Sequence, residues 1–215
     1  MFTDDDNSRI LEPLDKQYIL ETINKSNVNA APGSDGIPTL FYKDCWDIIG
    51  DTLTEVILAI FNGLAPTKSR RTSLMVFGSK PKKLMSLLPK DKRRISLLNS
   101  DFKILTGIEA TKLKKTLNRT LCQHQYVSGD DRKIHHGITK VRNSIEYANS
   151  RNIPAAFLDT DYIAVFDFLI MSWTFKVLMK KGMSPEAINR LKNLYNNNIT
   201  IPVINNVRQK EIPNL

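Results

Sequence analysis

Cysteine is nearly absent from the sequence, where only Cys45 and Cys122 occur among 215 residues. This scarcity excludes a disulfide-stapled scaffold and a cysteine-rich zinc module. The longest apolar stretch, residues 56–61, is far shorter than the roughly 20 residues that cross a bilayer. The acidic N-terminus, MFTDDDNSR, lacks the pattern of a signal peptide. We therefore expect an intracellular protein, nuclear or cytoplasmic, with no membrane partner and no transmembrane segment.

Acidic residues are scarce in one quarter of the chain. Residues 66–119, called the basic quarter below, contain 15 Lys or Arg and 3 Asp or Glu, although the whole chain carries 31 and 22. The net charge of +9 therefore originates in this segment. Such a concentration favours a polyanionic partner, because each phosphate neutralised by Lys or Arg releases counterions. A solvated surface is the alternative interpretation.

The apolar patterning predicts an α+β protein. Short apolar or alternating runs predict strands at residues 72–78, 90–97, 155–161 and 199–212, with helices around them. Three regions follow along the chain: an N-terminal helical region, a basic region and a C-terminal region, over residues 1–65, 66–150 and 151–215.

Local signals predict where several elements begin and end. The sequence Ser184-Pro185-Glu186 predicts a helix start, and Asn205-Asn206 predicts the turn of a hairpin. Trp173 lies on an apolar helical stripe and is expected in the core. Residues 1–12 are expected to form a frayed acidic tail.

Asp159 and Asp161 follow the apolar run of the predicted strand at 155–161. On a strand the two carboxylates would share a face, because side chains alternate with a period of two. Carboxylates at a strand end suit a hard divalent cation such as Mg²⁺, and a basic hairpin could hold the phosphates of a nucleotide. Turn formation or helix capping is the competing explanation of these acids.

Four motifs occur in the order known from one enzyme family. They are A-P-G-S-D-G-I-P at 31–38 with F-Y-K at 41–43, R-R-I-S-L-L-N at 93–99 with F-K-I at 102–104, Gln123 with Tyr126 and Gly129, and D-Y-I-A-V-F-D at 161–167. From about residue 15 to the C-terminus, the sequence resembles the reverse transcriptase of non-LTR (LINE-type) retrotransposons. The resemblance implies a right-hand polymerase, with its fingers at residues 66–150 and the first part of its palm at residues 151–215.

The resemblance also implies roles for single residues. Asp161 would bind catalytic Mg²⁺, and Phe166 would act as the steric gate that excludes a 2′-hydroxyl. Arg93 would contact the triphosphate of a dNTP, and Lys80 would assist with the phosphates or the template. The implied partners are an RNA template, a DNA primer and a dNTP. The remaining candidate contacts to nucleic acid are lysines of the basic quarter: Lys82, Lys83, Lys112 and Lys115.

Four residues depart from the family pattern, and two of its motifs are missing from the sequence. Arg94 replaces a proline, Ala164 a lysine, Val165 an alanine and Asp130 an arginine. The R-Q-G motif does not occur before Leu215, and no F/Y-x-D-D follows Asp161. That motif supplies the second aspartate of a two-metal site in the family. We therefore expect the 215-residue chain to be inactive alone and to expose an apolar face of its incomplete palm. The alternative function is a non-catalytic nucleic-acid-binding remnant that uses the basic quarter.

Overall fold

The computed structural model describes residues 1–86, 88, 91–126, 132–161 and 169–213. Eight α-helices and five β-strands lie within these ranges, so the predicted α+β class is confirmed. The chain divides into two compact units. The first unit comprises Met1–Arg9 and Thr111–Ser184, and the second comprises Ile10–Ala110 and Pro185–Leu215.

The first helix lies at the N-terminus, where the sequence predicted a frayed tail. In chain order the helices are α1 Asp4–Leu11, α2 Lys16–Lys25, α3 Thr39–Asp44, α4 Trp46–Phe61, α5 Ser100–Thr120, α6 Ile134–Ser150, α7 Met171–Lys180 and α8 Pro185–Tyr195. Helix α8 begins at the predicted proline. Within the described ranges, no helix combines the length and the apolar character that a membrane span requires.

The hydrophobic core of the second unit is built from one face of each of its longer helices. Ile19 and Ile23 of α2 and Ile108 of α5 are fully buried, and Ile57 of α4 is almost so. Their spacing of three or four residues places the apolar side chains on one side of each helix. Each buried side chain of this size contributes about 1.5–3 kcal/mol. The N-cap Asp15, which accepts a hydrogen bond from a backbone N–H of the first turn, fixes the start of α2.

A mixed sheet lies in the same unit. Its strands are β1 Thr72–Ser79, β2 Lys92–Leu97, β3 Ile199–Ile204, β4 Val207–Arg208 and β5 Ile212–Pro213. Strand β1 pairs antiparallel with β2 and parallel with β3, and β3 pairs antiparallel with β4 and β5. The strand order β2-β1-β3-β4 places β2 at an edge. Asn205 and Asn206 connect β3 to β4, both with positive φ, as the predicted two-residue turn requires.

The N-terminal segment of the first unit is ordered, so the prediction of a frayed tail is wrong. Thr3 and Asp6 form a reciprocal cap: the Thr3 N–H donates to Asp6 Oδ2 at 2.9 Å, and the Asp6 N–H donates to Thr3 Oγ1 at 3.2 Å. Arg119 also donates to the buried Asp6 carboxylate. The Phe2 N–H donates to the carbonyl of Lys181 at 2.7 Å, which fixes the segment against the end of α7.

Two further predictions about the first unit are wrong. Residues 155–161 form no strand, and their side chains are exposed. A strand needs a neighbour to pair its backbone groups, and within the described residues this segment has none. Trp173 is 64% exposed and therefore does not belong to the core. It stands with Ile170 and Val177 on an apolar helical stripe that is exposed.

Candidate nucleic-acid interface

The β1–β2 hairpin of the second unit carries the predicted phosphate-binding residues. Its register pairs Val76 with Ile95, Phe77 with Arg94 and Gly78 with Arg93. Residues directly opposite each other lie on the same face, and neighbours along a strand alternate between faces. Arg93 and Arg94 therefore point to opposite sides of the hairpin, and both are exposed.

One face of the hairpin brings Arg93 and Lys80 together. The N–H of Lys80 donates to the Asp91 carbonyl at 3.2 Å, so the pairing continues one residue beyond β1. Lys80 has an extended backbone (φ −67°, ψ 141°), which keeps the alternation of the strand. Lys80 therefore lies on the face of Gly78 and Arg93, diagonal to the arginine. The two cations that the sequence placed 13 positions apart share one exposed surface.

The connection between the strands is organised by a buried acid. Asp91 is buried, and one of its carboxylate oxygens accepts from Lys83 Nζ at 2.5 Å while the other accepts from Ser86 Oγ at 2.7 Å. Lys83 is therefore partly neutralised, whereas Lys82 lies exposed in the short 3₁₀ turn Pro81–Lys83. The Asp91 carboxylate therefore stabilises the basic loop from inside and is not part of its exposed surface.

The other face of the hairpin combines an aromatic ring with basic groups. Phe77 is 39% exposed although it lies within a strand, and its cross-strand partner is Arg94. Lys92 lies on the same face and donates from Nζ to its own partner, Ser79 Oγ, at 2.9 Å. An exposed ring beside guanidinium and ammonium groups is the combination on which single-stranded nucleic acids stack.

The base of the hairpin is fixed to the glycine turn, residues 31–38, through Asn99. Asn99 is 1% exposed, and its Oδ1 accepts from Ser34 Oγ at 3.2 Å and from the Asp35 N–H at 3.3 Å. Its Nδ2 donates to the Ser69 carbonyl at 3.1 Å and to Ser69 Oγ at 3.2 Å. Gly33 lies so close that an added Cβ would stand 2.2 Å from Asn99 Oδ1. Asn99 therefore holds together two motifs that are distant in sequence, the glycine turn and the segment at 93–99. This contact is called the joint at Asn99 below.

Burial shifts the pKa values of titratable groups around this joint. The pKa of Tyr42 is raised to about 12, chiefly by burial and then by the carboxylates of Asp101 and Asp35, while the Arg70 guanidinium opposes the shift. Burial also lowers the pKa of Lys103, although the Asp35 carboxylate opposes this shift. Arg70 Nε pairs with Asp101 Oδ2 at 2.7 Å and so satisfies the acid beside Tyr42. The phenol consequently remains neutral at physiological pH.

The two lysines predicted on α5 differ in exposure. Lys115 is exposed, but Lys112 is only 8% exposed, so its expected place on a basic helix exterior is wrong. The error arises because Lys112 follows Ile108 by four residues and shares its buried helical face. A contact between Lys115 and nucleic acid stays a prediction.

The predicted metal residue lies in the first unit. Asp161 is exposed, and Phe166 lies outside the described residues. Mg²⁺ needs carboxylates supplemented by waters and substrate phosphates in an octahedral arrangement. Within the described part of the chain, no three His, Cys, Asp or Glu side chains stand close enough to hold a metal ion. The role of Asp161 as a metal ligand stays a prediction.

Comparison with known proteins indicates where the sequence comes from. No protein-family model matches the chain. It is 26% identical over 188 residues to the Transposon TX1 uncharacterized 149 kDa protein of Xenopus laevis, and this match covers 87% of the chain. The chain spans 14% of the length of that protein. The similarity supports a transposon-related origin.

Sequence reasoning missed two residues of this interface. Asn99 is the last letter of the second motif, yet it joins the hairpin to the glycine turn. Phe77 has the character of an ordinary apolar strand residue, yet it is exposed beside Arg94. No sequence signal indicates Phe77, because its position opposite Arg94 depends on the register of β1 with β2.

Proposed function

We propose that the β1–β2 hairpin binds phosphates as part of an RNA-directed DNA polymerase encoded by a transposon. The observation that carries the proposal is the common exposed face of Arg93 and Lys80. The transposon-related origin and the order of the four motifs support the polymerase assignment. In this assignment the hairpin belongs to the fingers, and its ligands are a dNTP and a template strand.

The chemistry of the hairpin suits this role. The planar guanidinium of Arg93 can donate two parallel hydrogen bonds to a phosphate, and the ammonium of Lys80 supplies a mobile point charge beside it. Between Thr72 and Leu97 the only acid is Asp91, whose carboxylate is buried and bonded to Lys83 and Ser86. The basic residues of the hairpin therefore greatly outnumber its acids.

The remaining polymerase roles come from the resemblance. Asp161 as the metal ligand and Phe166 as the steric gate are part of the proposal for a complete enzyme, together with Mg²⁺ as its cofactor. When bound, the metal would supply charge stabilisation at the transferred phosphoryl group.

A second candidate function is non-catalytic binding of nucleic acid. The observation that favours it is the second hairpin face, where Phe77 and Arg94 form a surface suited to a single strand. This surface needs neither a metal nor a nucleotide.

Binding experiments with the 215-residue chain test both candidates. A fluorescent single-stranded oligonucleotide is titrated with the chain at several salt concentrations, and anisotropy gives Kd. For a single strand, the logarithm of the binding constant falls with the logarithm of the salt concentration by about 0.7 per phosphate contact. At 0.1 M salt, the loss of one contact therefore raises Kd about fivefold. We expect Arg93→Ala and Lys80→Ala to weaken binding by about this factor and to lower the salt slope.

A matched control removes an exposed lysine elsewhere in the same unit. Lys25 of α2 is exposed and pairs with Glu21 of the same helix, and Lys25→Ala should leave Kd unchanged. Addition of a dNTP then separates the candidates. Displacement of the oligonucleotide by dNTP in the parent chain, but not in Arg93→Ala, supports the polymerase role. Salt-dependent binding that a dNTP never affects leaves only non-catalytic binding, and no binding at low salt refutes both.

A further inference from the structure

The sequence contains two copies of one short pattern, two arginines followed by any residue, a serine and a leucine. The copies are R-R-T-S-L at 70–74 and R-R-I-S-L at 93–97. Serine kinases with acidic substrate clefts read this pattern, because their carboxylates bind the two guanidinium groups and an apolar pocket accepts the leucine. The fold treats the two copies differently.

The serine of the first copy is buried within the sheet. Ser73 lies in β1, between β2 and β3, and is 4% exposed. Its hydroxyl lies 3.3 Å from the Ile199 carbonyl and 3.1 Å from Thr200 Oγ1, both on the neighbouring strand. The first arginine of the copy, Arg70, is held by Asp101. A kinase could reach this serine only if the sheet opened.

The serine and both arginines of the second copy are exposed to solvent. Strand β2 is an edge strand, so one side of its backbone faces no neighbour within the sheet. Arg93, Arg94 and Ser96 are all exposed. The strand also holds the pattern in the extended conformation in which a substrate cleft reads a peptide.

We propose that Ser96 is a phosphorylation site for an arginine-directed serine kinase and that its phosphate reduces nucleic-acid binding by the hairpin. The Ser96 Oγ attacks the γ-phosphorus of ATP, an O–P bond to the serine forms, and the bond to the β-phosphate oxygen breaks. ADP leaves, and the hydroxyl proton passes to the base of the kinase. The modification is independent of the proposed function, whereas its effect on binding rests on that function.

The effect follows from the position of Ser96 in the register. Ser96 is opposite Met75, on the face that also carries Arg94 and Phe77. A phosphoserine adds a charge of about −1.5 to −2 and three acceptor oxygens. Arg94, two residues earlier on the same face, is within reach of these oxygens. The phosphate would therefore both repel a nucleic acid and occupy a cation that binds it.

The modification is tested on the folded 215-residue chain and on two synthetic peptides, residues 68–76 and 91–99. All three are incubated with ATP and the catalytic domain of an arginine-directed serine kinase, and mass spectrometry locates the phosphate. We expect both peptides to be modified, but only Ser96 in the folded chain. Ser96→Ala should remove the modification from the chain. Equal labelling of Ser73 and Ser96, or no label at Ser96 while its peptide is labelled, overturns the assignment.

The consequence is tested by anisotropy on the modified and unmodified chains. At 0.1 M salt, loss of one phosphate contact weakens single-strand binding about fivefold, and loss of two by about 25-fold. Ser96→Ala, treated identically with kinase, should keep the affinity of the unmodified chain. Full modification at Ser96 with unchanged Kd overturns the regulatory effect but leaves the site. An unmodified chain that does not bind overturns the proposed function, and the regulatory effect with it.

Discussion

Substitution of Gly33 by alanine tests whether the joint at Asn99 holds the second unit together. Gly33 has no positive φ, so its glycine is required by space and not by backbone conformation. An added Cβ would lie 2.2 Å from Asn99 Oδ1, 2.4 Å from Asn99 N and 2.5 Å from the carbonyl carbon of Leu98. Two of these three atoms belong to the backbone and cannot rotate away.

The cost can be worked out from these contacts. Carbon atoms in contact are normally about 3.5–4.0 Å from their neighbours, so the turn must move by about 1 Å. Such overpacking costs about 1–3 kcal/mol. The movement also breaks the bonds from Ser34 Oγ and from the Asp35 N–H to Asn99 Oδ1, which contribute about 0.5–1.5 kcal/mol each. We expect Gly33→Ala to lower the free energy of unfolding by about 3–4 kcal/mol.

Gly36, three residues later in the same turn, provides the matched control. It has a φ of +75°, and nothing lies within 4 Å of an added Cβ. Gly36→Ala should therefore cost only the left-handed backbone conformation, about 1–2 kcal/mol. Urea unfolding followed by circular dichroism measures both variants. If Gly33→Ala costs no more than Gly36→Ala, the glycine turn is not packed against Asn99 and the joint is wrong.

Three further predictions concern local features. Thr3→Ala removes half of the reciprocal cap with Asp6 and should cost about 1 kcal/mol in urea unfolding; an unchanged midpoint would mean that the cap is not formed. Asn206→Gly relieves a positive φ of 62° and should stabilise by about 0.5–1 kcal/mol, and a lower Tm would contradict it. Because burial raises the pKa of Tyr42 to about 12, the folded chain keeps this proton between pH 10 and 12 while the unfolded chain loses it. Stability should fall as pH rises through that window, and Tyr42→Phe should remove one tyrosine's share of the phenolate absorbance that develops near pH 12.

The sequence predicted those elements whose signals are local. The start of α8 at Pro185 depends on a cap and a proline in the first turn, which act within four residues. The turn at Asn205 and Asn206 depends on two residues that tolerate positive φ. Such signals act on backbone conformation directly, and distant parts of the chain do not override them here.

The predictions that failed required knowledge of distant neighbours. Residues 155–161 have the composition of a buried strand, but a strand forms only where another strand pairs with it. Trp173 has the spacing of a core residue, but burial depends on an element that covers it. The ordered N-terminus was different, since Thr3 and Asp6 have the spacing of a capping pair and could have been recognised.

The candidate interface could be predicted only in part for the same reason. Arg93 and Lys80 were identified as candidates from their motif and charge, yet their common face depends on the register of β1 with β2. The register also separates Arg93 from Arg94, which the sequence presents as one pair. The burial of Lys112 depends on the helix face that the core covers, and its charge gave no sign of this.

The edge position of β2 connects these findings to Arg94, one of the motif residues that depart from the pattern of the resembled family. A proline lacks the N–H that a central strand must donate, but it is tolerated in an edge strand. Position 94 lies in an edge strand, so the fold accepts either the proline of the resembled family or the arginine found here. The arginine is not neutral in its effect. It places a cation opposite Phe77 and two residues before Ser96, so one substitution at a permissive edge adds charge to the second face of the hairpin. The two faces can therefore change independently, because the base of the hairpin is held by Asn99 and not by either face.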